Sequence, residues 1–402
     1  MNPQMNKRRP KKHRLPAWKI ALIVLTVAIF LTIAGVAAFL EIYRPSVDTD
    51  VPPFVVDTVD HADMTGTGTN SDDTSDSPPA ENVYVRDTEI VNFLVMGRDK
   101  DAWNTDVMMI VNFNMREGSL SVLQIPRDTY TEMDGMHGRL NTMMKIKRNA
   151  AYYEDKSLSQ SELLRAGMQG TVEALERSLC IQIDGYAIVN LEGFRNIIDV
   201  IGGVYMDVPY EMHYDDPDQD LYIHLSKGPK RLDGKEAEMF VRYRSGFIQG
   251  DIGRVNAQKI FLTALFKQLK TNLTLTTVPQ LAEQVIKYVT TDVPLADVII
   301  YAKELLGVDM GNVSMMTLPG TDCRASSGAW YYIMNRADTL DVINNYFNVY
   351  NLPVTDDMFD PFCAFTDEDS MAFSKIYYAE STGAVVETAD KIDEDGLNIP
   401  TY

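Results

Sequence analysis

Residues 91–125 decide the fold, and they read VNFLVMGRDKDAWNTDVMMIVNFNMREGSLSVLQI. Three short, mostly apolar runs, at 91–96, 107–113 and 120–125, are separated by polar or glycine-containing turns. Runs of this length without a polar face are typical of strands that are buried on both sides. They predict three strands of a central sheet.

Helical and strand patterns alternate in the rest of the chain. Apolar residues recur at helical spacing over 161–179, 194–201, 252–269, 279–289, 295–306 and 337–346. Strand-like runs lie at 204–208, 238–243 and 313–318. Strands interleaved with helices predict an α/β fold, and specifically an α/β/α sandwich around a central mixed β-sheet.

The composition excludes several classes of protein. The chain has 402 residues, 45% apolar and 23% charged, so it can bury a sizeable core and is not disordered throughout. Its formal net charge of −20 disfavours binding to duplex nucleic acid. Only three cysteines are present, and none belongs to a CxxC pair, which argues against a zinc framework or a disulfide scaffold.

The first forty residues predict a membrane anchor. Residues 1–19 carry seven basic residues and no acidic residue, whereas residues 20–40 carry no charge. An apolar helix of this length matches the ~30 Å hydrocarbon layer and exceeds the roughly 7 to 15 apolar residues of a cleaved signal peptide. Because basic flanks stay inside, the N-terminus is expected in the cytoplasm. We therefore expect a single-pass cell-membrane protein with an extracellular domain.

Two acidic segments flank the predicted domain. Residues 45–88 are rich in Asp, Thr, Ser, Gly and Pro, a composition that cannot offset its ordering entropy and predicts a flexible extracellular linker. Residues 351–402 are again acidic and are predicted to form a loosely attached tail. The folded domain is therefore assigned to residues 89–350.

Charged residues cluster where the predicted strands begin or end. Asp99 follows the first strand, Asp106 opens the second, and Arg127 follows the third. Ligands gather at strand ends in α/β sheets, so these side chains are candidates for a binding site.

A second charged group lies within residues 242–254. Arg242 and Arg244 are two residues apart on a predicted strand and would face the same side, while Asp251 and Arg254 stand at the start of a helix. Three arginines this close repel one another unless an anion lies between them. Guanidinium groups beside a helix N-terminus suit phosphate oxygens. The pattern indicates a pyrophosphate site.

Simpler interpretations remain open for individual residues in both groups. Asp251 could be only a helix N-cap with Arg254 as its solvated partner. Asp99 and Asp106 could be ordinary turn residues.

The other metal-ligating residue types give no strong signal. The acidic loop 216–220 beside His213 lacks the glycine and the distal glutamate of a calcium loop, so a solvated loop is favoured. His137, His213 and His224 have no metal-ligand spacing.

The ordered set of motifs resembles the LytR-CpsA-Psr family of bacterial cell-envelope enzymes. The matching segments are FLVMGRD at 93–99, NTDVMM at 104–109, IPRDT at 125–129, RLN at 139–141, IGGV at 201–204, LDGK at 232–235, VRYR at 241–244 and DIGR at 251–254, followed by Gln258. Each motif is short, but the order of the set is specific. A short basic N-terminus, a single span and an external domain are also typical of this family.

The resemblance implies a phosphotransferase that moves an anionic glycopolymer, such as teichoic acid or capsular polysaccharide, from a polyprenyl pyrophosphate carrier to peptidoglycan. It implies that Asp99 and Asp106 hold Mg²⁺ on the pyrophosphate, and that Asp251 accepts the proton of the attacking sugar hydroxyl. The residues implied to contact the pyrophosphate, of which Arg127 and Arg254 are also counted as catalytic, are Arg127, Arg139, Arg242, Arg244, Arg254 and Gln258. Such a set fits phosphoryl transfer, which needs mainly positioning and charge neutralisation.

Some features leave alternatives open. Asn104 stands where many family members have an arginine, which removes one phosphate contact. A polyprenyl pyrophosphate hydrolase, in which water attacks, fits the same residues, as does a non-catalytic regulatory protein that binds envelope lipid or polymer. Carboxylates among the arginines favour catalysis, because anion binding alone would not need them.

Cys323 and Cys363, both predicted outside the cell, are a candidate disulfide pair.

Overall fold

The computed structural model describes residues 43–49, 84–98, 103–133, 136–217, 221–243, 251–272, 277–325, 327–359 and 385–395. The predicted basic segment 1–19, the predicted span 20–40 and most of the predicted linker 45–88 lie outside these residues. Over the ranges just given, no helix is long and apolar enough to cross a membrane.

Fifteen strands are present in the described residues. They are β1 (Ile90–Arg98), β2 (Thr105–Asn114), β3 (Ser119–Gln124), β4 (Tyr130–Met133), β5 (Met136–Arg139), β6 (Gly185–Asn190), β7 (Val204–Val208), β8 (Met212–Asp216), β9 (Leu221–Leu225), β10 (Gly228–Leu232), β11 (Val289–Thr291), β12 (Val313–Thr317), β13 (Gly320–Arg324), β14 (Trp330–Met334) and β15 (Val386–Thr388). Seven of them form the central sheet in the order β11-β6-β1-β2-β3-β12-β15. Because β1 pairs parallel with β6 but antiparallel with β2, the sheet is mixed.

Nine α-helices connect or follow these strands in the same part of the chain. They are α1 (Met143–Glu154), α2 (Gln160–Leu179), α3 (Leu191–Val200), α4 (Gly234–Arg242), α5 (Asp251–Asn272), α6 (Thr277–Tyr288), α7 (Leu295–Gly307), α8 (Arg336–Val342) and α9 (Ala389–Asp395). Each of the periodic segments predicted as helices overlaps one of these elements.

Alternate residues of the central strands enter two different cores. Leu94 packs in one core with Leu175 of α2, whereas Val91 packs in another core with Phe266 of α5. This alternation follows from the two-residue period of a strand, and burial of each such apolar side chain contributes about 1.5–3 kcal/mol. The structure is thus a mixed central sheet with flanking helices, as the sequence predicts.

Residues 238–243 were predicted as a strand, and this prediction is wrong. They form the end of α4 and its C-cap, because Asp233 and Glu236 make a capping box that starts the helix at Gly234. Phe240 of α4 packs against Phe261 of α5 in a third core that also contains residues of β7 to β10. The sequence signal that was missed is the Asp-x-x-Glu spacing ahead of the apolar run.

Part of the predicted C-terminal tail belongs to the folded domain. Strand β15 pairs with β12 at the edge of the central sheet, and Ala389 and Ile392 of α9 are buried. Lys259 of α5, whose side chain is 4% exposed, forms an ion pair of 3.0 Å with Glu387 of β15. The prediction of a loosely attached tail therefore fails for residues 385–395.

A buried carboxyl at the end of α2 makes stability depend on pH. Burial, together with the nearby Asp184 carboxylate, raises the pKa of Glu176 from 4.5 to about 7, although the Ile183 N–H donates to the Glu176 Oε1 and opposes this shift. Between these two pKa values the folded state binds more protons than the unfolded state, so the free energy of unfolding falls as pH rises. Each pKa unit of difference corresponds to about 1.4 kcal/mol. Above pH 7 the free energy of unfolding has therefore fallen by up to about 3 kcal/mol.

We expect the Glu176→Gln variant to gain stability relative to the wild type at pH 8, but not at pH 4, since Gln carries no charge to desolvate. Urea unfolding of the full chain at both pH values measures this difference. Glu283→Gln, at an exposed position on α6, is the control and should show no pH-dependent gain. An equal effect of both substitutions would contradict the assignment.

Candidate active site

The candidate site lies at the edge of the sheet where β1 ends, β2 begins and β3 ends. Arg98 at the end of β1 is paired in register with Thr105 at the start of β2, and Met109 of β2 with Gln124 at the end of β3. The segments that carry Asp106 and Arg127 are therefore adjacent, which agrees with the tendency of ligands to bind at strand ends.

Asp106, Arg127 and Arg139 belong to one chain of charged contacts. The Arg127 Nη1 lies 2.6 Å from the Asp106 Oδ1, and the Arg127 Nε lies 3.8 Å from the Asp128 Oδ1. The same Asp128 oxygen lies 3.3 Å from the Arg139 Nε. Cations and carboxylates alternate along this chain, so neither sign of charge accumulates.

The backbone fixes the two arginines relative to each other. The Asn141 N–H donates to the Arg127 carbonyl at 3.1 Å, and Tyr130 is paired in register with Arg139 across β4 and β5. The Arg139 guanidinium also donates to the Trp330 carbonyl at 3.0 Å and stacks 5.5 Å from the Tyr331 ring centre.

The charged chain reaches solvent at Asp106. The Asp106 side chain is 44% exposed, whereas the side chains of Arg127 and Asp128 are each 20% exposed. Because one partner is exposed, the Asp106–Arg127 ion pair contributes about 0–1 kcal/mol, so stability alone does not account for it.

Three polar side chains beside this chain have buried atoms without hydrogen bonds among the described residues. These atoms are the Asn104 Oδ1, the Asn141 Oδ1 and both amide atoms of Gln124. Buried polar atoms are nearly always satisfied, and leaving one unsatisfied costs about 1–3 kcal/mol. Their position at the sheet edge makes them candidates for contacts with a polar ligand.

A second group lies at the junction of α4 and α5. The Arg242 Nη1 lies 2.9 Å from the Glu238 Oε1, and the Arg195 Nη1 lies 3.3 Å from the Glu238 Oε2. Arg242 is in the last turn of α4, so the prediction that it shares a strand face with Arg244 is wrong; Arg244 lies outside the described residues. Glu238, which the sequence reasoning missed, holds Arg242 by the usual i,i+4 spacing.

Positions 251, 254 and 258 lie on one face of α5, because they are three and four residues apart. Arg254 and Gln258 on this face are buried, at 5% and 7% exposure. The Gln258 Nε2 donates to the Val241 carbonyl at 3.1 Å, which ties this face to the end of α4 that carries Arg242. The side chain of Asp251 and the whole of Asp99 lie outside the described structure.

Two more cations beside the first group were missed from the sequence. The guanidinium groups of Arg98 and Arg148 lie 4.8 Å and 4.5 Å from the ring centre of Trp103, which precedes Asn104. Cation–π contacts of this kind hold a positive charge in place without neutralising it. The one sequence feature that could have pointed to these two arginines is the single tryptophan, Trp103, in the acidic segment between the first two strands.

Two nearby groups are poorly suited to act as a base or nucleophile. Burial raises the pKa of the Tyr332 hydroxyl, which donates to the Leu318 carbonyl. Burial also raises the pKa of the Cys323 thiol, and the thiol is free in the structure. The predicted partner of Cys323, Cys363, lies outside the described residues. Neither group is therefore a candidate for proton transfer.

Comparison with known protein families gives one match that spans most of the chain. The model described as "LytR_cpsA_psr family" matches residues 57–348.

Two curated relatives carry closely related names. A "Polyisoprenyl-teichoic acid--peptidoglycan teichoic acid transferase TagU" of Bacillus mycoides is 28% identical over 272 residues, which cover 67% of this chain and 82% of the relative. TagV of Bacillus subtilis, with the same descriptive name, is 28% identical over 240 residues, or 60% of this chain. This second match spans only 58% of the length of TagV.

Among solved structures, the crystal structure of Bacillus subtilis TagV aligns with a TM-score of 0.51 and 23% identity. The alignment covers 63% of this chain and 94% of the TagV structure. At this identity the likeness shows a shared fold.

Proposed function

This chain belongs to the LytR-CpsA-Psr family, and from that premise we propose that it transfers an anionic glycopolymer, of teichoic acid or capsular polysaccharide type, from a polyprenyl pyrophosphate carrier to peptidoglycan. The names of its curated relatives support the reaction class, since both are teichoic acid transferases that act on polyisoprenyl-linked polymer and peptidoglycan.

The observation that carries the proposal is the solvent-accessible Asp106–Arg127 pair beside unsatisfied buried amides at the sheet edge. Phosphoryl transfer needs positioning and neutralisation of charge on phosphate oxygens, and guanidinium groups supply both by forked hydrogen bonds. Arg98 and Arg148, held on Trp103, provide positive charge next to Asn104, where the family commonly has an arginine.

Asp106 has the properties of a magnesium ligand. One carboxylate oxygen is held by Arg127, and the side chain is exposed enough to reach a hydrated ion. Mg²⁺ commonly uses one or two carboxylates together with water and substrate phosphate oxygens. The lack of a cluster of three or more metal-ligating residues among the described ones is compatible with such a site. Asp99 and Asp106 would hold Mg²⁺, which would neutralise charge on the pyrophosphate.

The remaining residues act on the donor and the acceptor. Arg127, Arg139, Arg242, Arg244 and Arg254 bind the pyrophosphate oxygens, and Gln258 holds the end of α4 in place through the Val241 carbonyl. An acceptor sugar oxygen forms a bond to the polymer-linked phosphorus, while the bond from that phosphorus to the bridging oxygen breaks and polyprenyl phosphate leaves. Asp251, at the start of α5, takes the proton of the attacking hydroxyl.

The proposed substrates require a location at the outer face of the cell membrane. The uncharged segment 20–40, with its basic flank, supplies a single-pass anchor with the N-terminus in the cytoplasm. The domain would then meet both the lipid carrier and peptidoglycan.

The test uses the purified full chain in detergent with a polyprenyl pyrophosphate-linked glycopolymer and Mg²⁺. Polymer attached through phosphate to peptidoglycan, and formed only when peptidoglycan is present, is the expected product. Release of polymer phosphate at the same rate without peptidoglycan would support the hydrolase instead. Binding of the donor without either product would support the non-catalytic protein.

We expect the double variant Asp99→Asn, Asp106→Asn to lose the stimulation of transfer by Mg²⁺, because its amide side chains are weak ligands for this ion. Transfer rates measured over a Mg²⁺ titration test this. The control Glu117→Gln changes an exposed carboxylate in the turn at the other end of β2 and should keep the wild-type titration curve. An unchanged Mg²⁺ response in the double variant would place the metal elsewhere.

A further inference from the structure

A pair of histidines on the hairpin of β8 and β9 lies outside the candidate active site. His213 and His224 are directly opposite each other in the strand register, and their Nδ1 atoms are 2.8 Å apart. The ring centres are 4.4 Å apart. No metal-ligand spacing was recognised for these residues, because eleven positions separate them along the chain. The hairpin brings them together.

Asp215 lies on the side of the rings away from the Nδ1 atoms. Its Oδ1 lies 2.9 Å from the His224 Nε2, whereas its Oδ2 lies 3.9 Å from the His213 Nε2, which is beyond hydrogen-bond distance. The carboxylate therefore favours the His224 tautomer that carries hydrogen on Nε2, which turns the His224 Nδ1 lone pair toward His213. That lone pair can accept the Nδ1 hydrogen of His213, and when this hydrogen moves to the His213 Nε2, both Nδ1 atoms can bind one metal cation.

We propose that His213 and His224 bind one divalent transition-metal ion of the zinc class through their Nδ1 atoms, with Asp215 orienting the His224 ring. Imidazole nitrogen is a common ligand for such ions, and metal-bound histidines usually donate their other N–H to a carboxylate. At a Zn–N distance of about 2.0–2.1 Å, two tetrahedral ligands lie about 3.3 Å apart. The rings need to separate by only about half an ångström.

The surroundings of the pair permit this movement and attract a cation. The side chains of His213 and His224 are 75% and 50% exposed, so water can fill the remaining coordination positions. Residues 211–227 contain five acidic residues and one lysine. Asp215 lies on the far side of the rings from the Nδ1 atoms, which agrees with the lack of any three-residue metal cluster in the described part of the chain.

The bound ion would cross-link the two strands on their outer face. The inner face of the same hairpin, with Met212, Ile223 and Leu225, is buried in the core that contains Phe240 of α4. A metal at this pair therefore braces the hairpin that packs beneath the helix ending at Arg242. The site itself does not depend on the proposed transferase reaction.

The experiment is a calorimetric titration of the full chain in detergent with Zn²⁺, in the presence of excess Mg²⁺ to occupy carboxylate sites. We expect one Zn²⁺ per chain at this site, bound in the micromolar range and with a rise in the melting temperature. Loss of either imidazole, in His213→Ala or His224→Ala, should weaken this binding by at least about tenfold. His213→Asn keeps a polar side chain at the same exposed position and should show the same loss.

The control is His137→Ala, which removes an exposed histidine next to Glu132 on a different hairpin. It should bind Zn²⁺ as the wild type does. A wild-type chain that binds no Zn²⁺, or a double variant His213→Ala, His224→Ala that keeps the wild-type affinity and stoichiometry, would overturn the proposal. Transfer activity is not the readout, so these outcomes are independent of the proposed function.

Discussion

Replacing Arg127 by Ala is expected to lower the rate of glycopolymer transfer by about 10²–10³-fold, the usual effect of removing one donor that stabilises transition-state charge. The substitution removes a phosphate ligand and also the partner of Asp106, since these side chains are 2.6 Å apart. Arg127→Lys should recover part of the loss, because Lys keeps the charge but not the forked geometry. Initial rates with saturating peptidoglycan measure the effect.

The matched control for this prediction is Arg116→Ala. Arg116 also pairs with carboxylates, at 2.7 Å from Asp87 and 2.8 Å from Glu89, but it lies in the turn at the other end of β2. Its removal should leave transfer unchanged. A near-normal rate for Arg127→Ala, or equal losses for both variants, would remove Arg127 from the catalytic set.

Replacing Asp251 by Asn is expected to lower transfer by about 10²–10⁴-fold, the range for loss of a general base. Binding of the lipid-linked donor should change little, because the arginines carry the contacts with phosphate. Single-turnover rates and donor affinity, measured separately, distinguish these two effects.

Substitutions of Asp251 also distinguish a role as general base from a purely structural role at the start of α5. Asn and Ser are both tolerated at the start of a helix, so a structural Asp251 would be replaced by either without a large effect. A base cannot be replaced in this way, and Asp251→Asn and Asp251→Ser should be equally impaired. Wild-type turnover in either variant would exclude the proton-transfer role.

The strands of the fold were predictable where a continuous apolar run marked a buried strand. The apolar runs at 91–96, 107–113 and 120–125 each contain only strand residues in the structure, apart from Ile125, since buried strands leave a continuous apolar signature. Residues 238–243 misled the prediction because a short apolar run is equally compatible with a buried helix. The order of strands in the sheet depends on pairing between distant residues, which the pattern along the chain does not encode.

The proximity of the candidate site residues was predictable only in part, and their roles stay predictions. Asp106, Arg127 and Arg139 lie in one chain of charged contacts, because the strand ends near them lie at one edge of the sheet. Glu238 was missed because its contact with Arg242 arises from helix geometry, and Trp103 because its contacts with Arg98 and Arg148 are not visible in the spacing along the chain. The histidine pair was missed for the same reason: opposition across a hairpin is not visible in spacing along the chain.

Strand β15 has a consequence for the order of events during synthesis. Residues 386–388 leave the ribosome well after β12, so until they emerge β12 presents an open edge. Such edges are templates for pairing with other chains. Over the same interval Lys259 lacks its ion pair with the carboxylate of Glu387. A chain that lacks residues 386–388 would thus present both an unpaired strand edge on β12 and the unpaired charge of Lys259. By these two features proteases and chaperones can distinguish it from the folded protein.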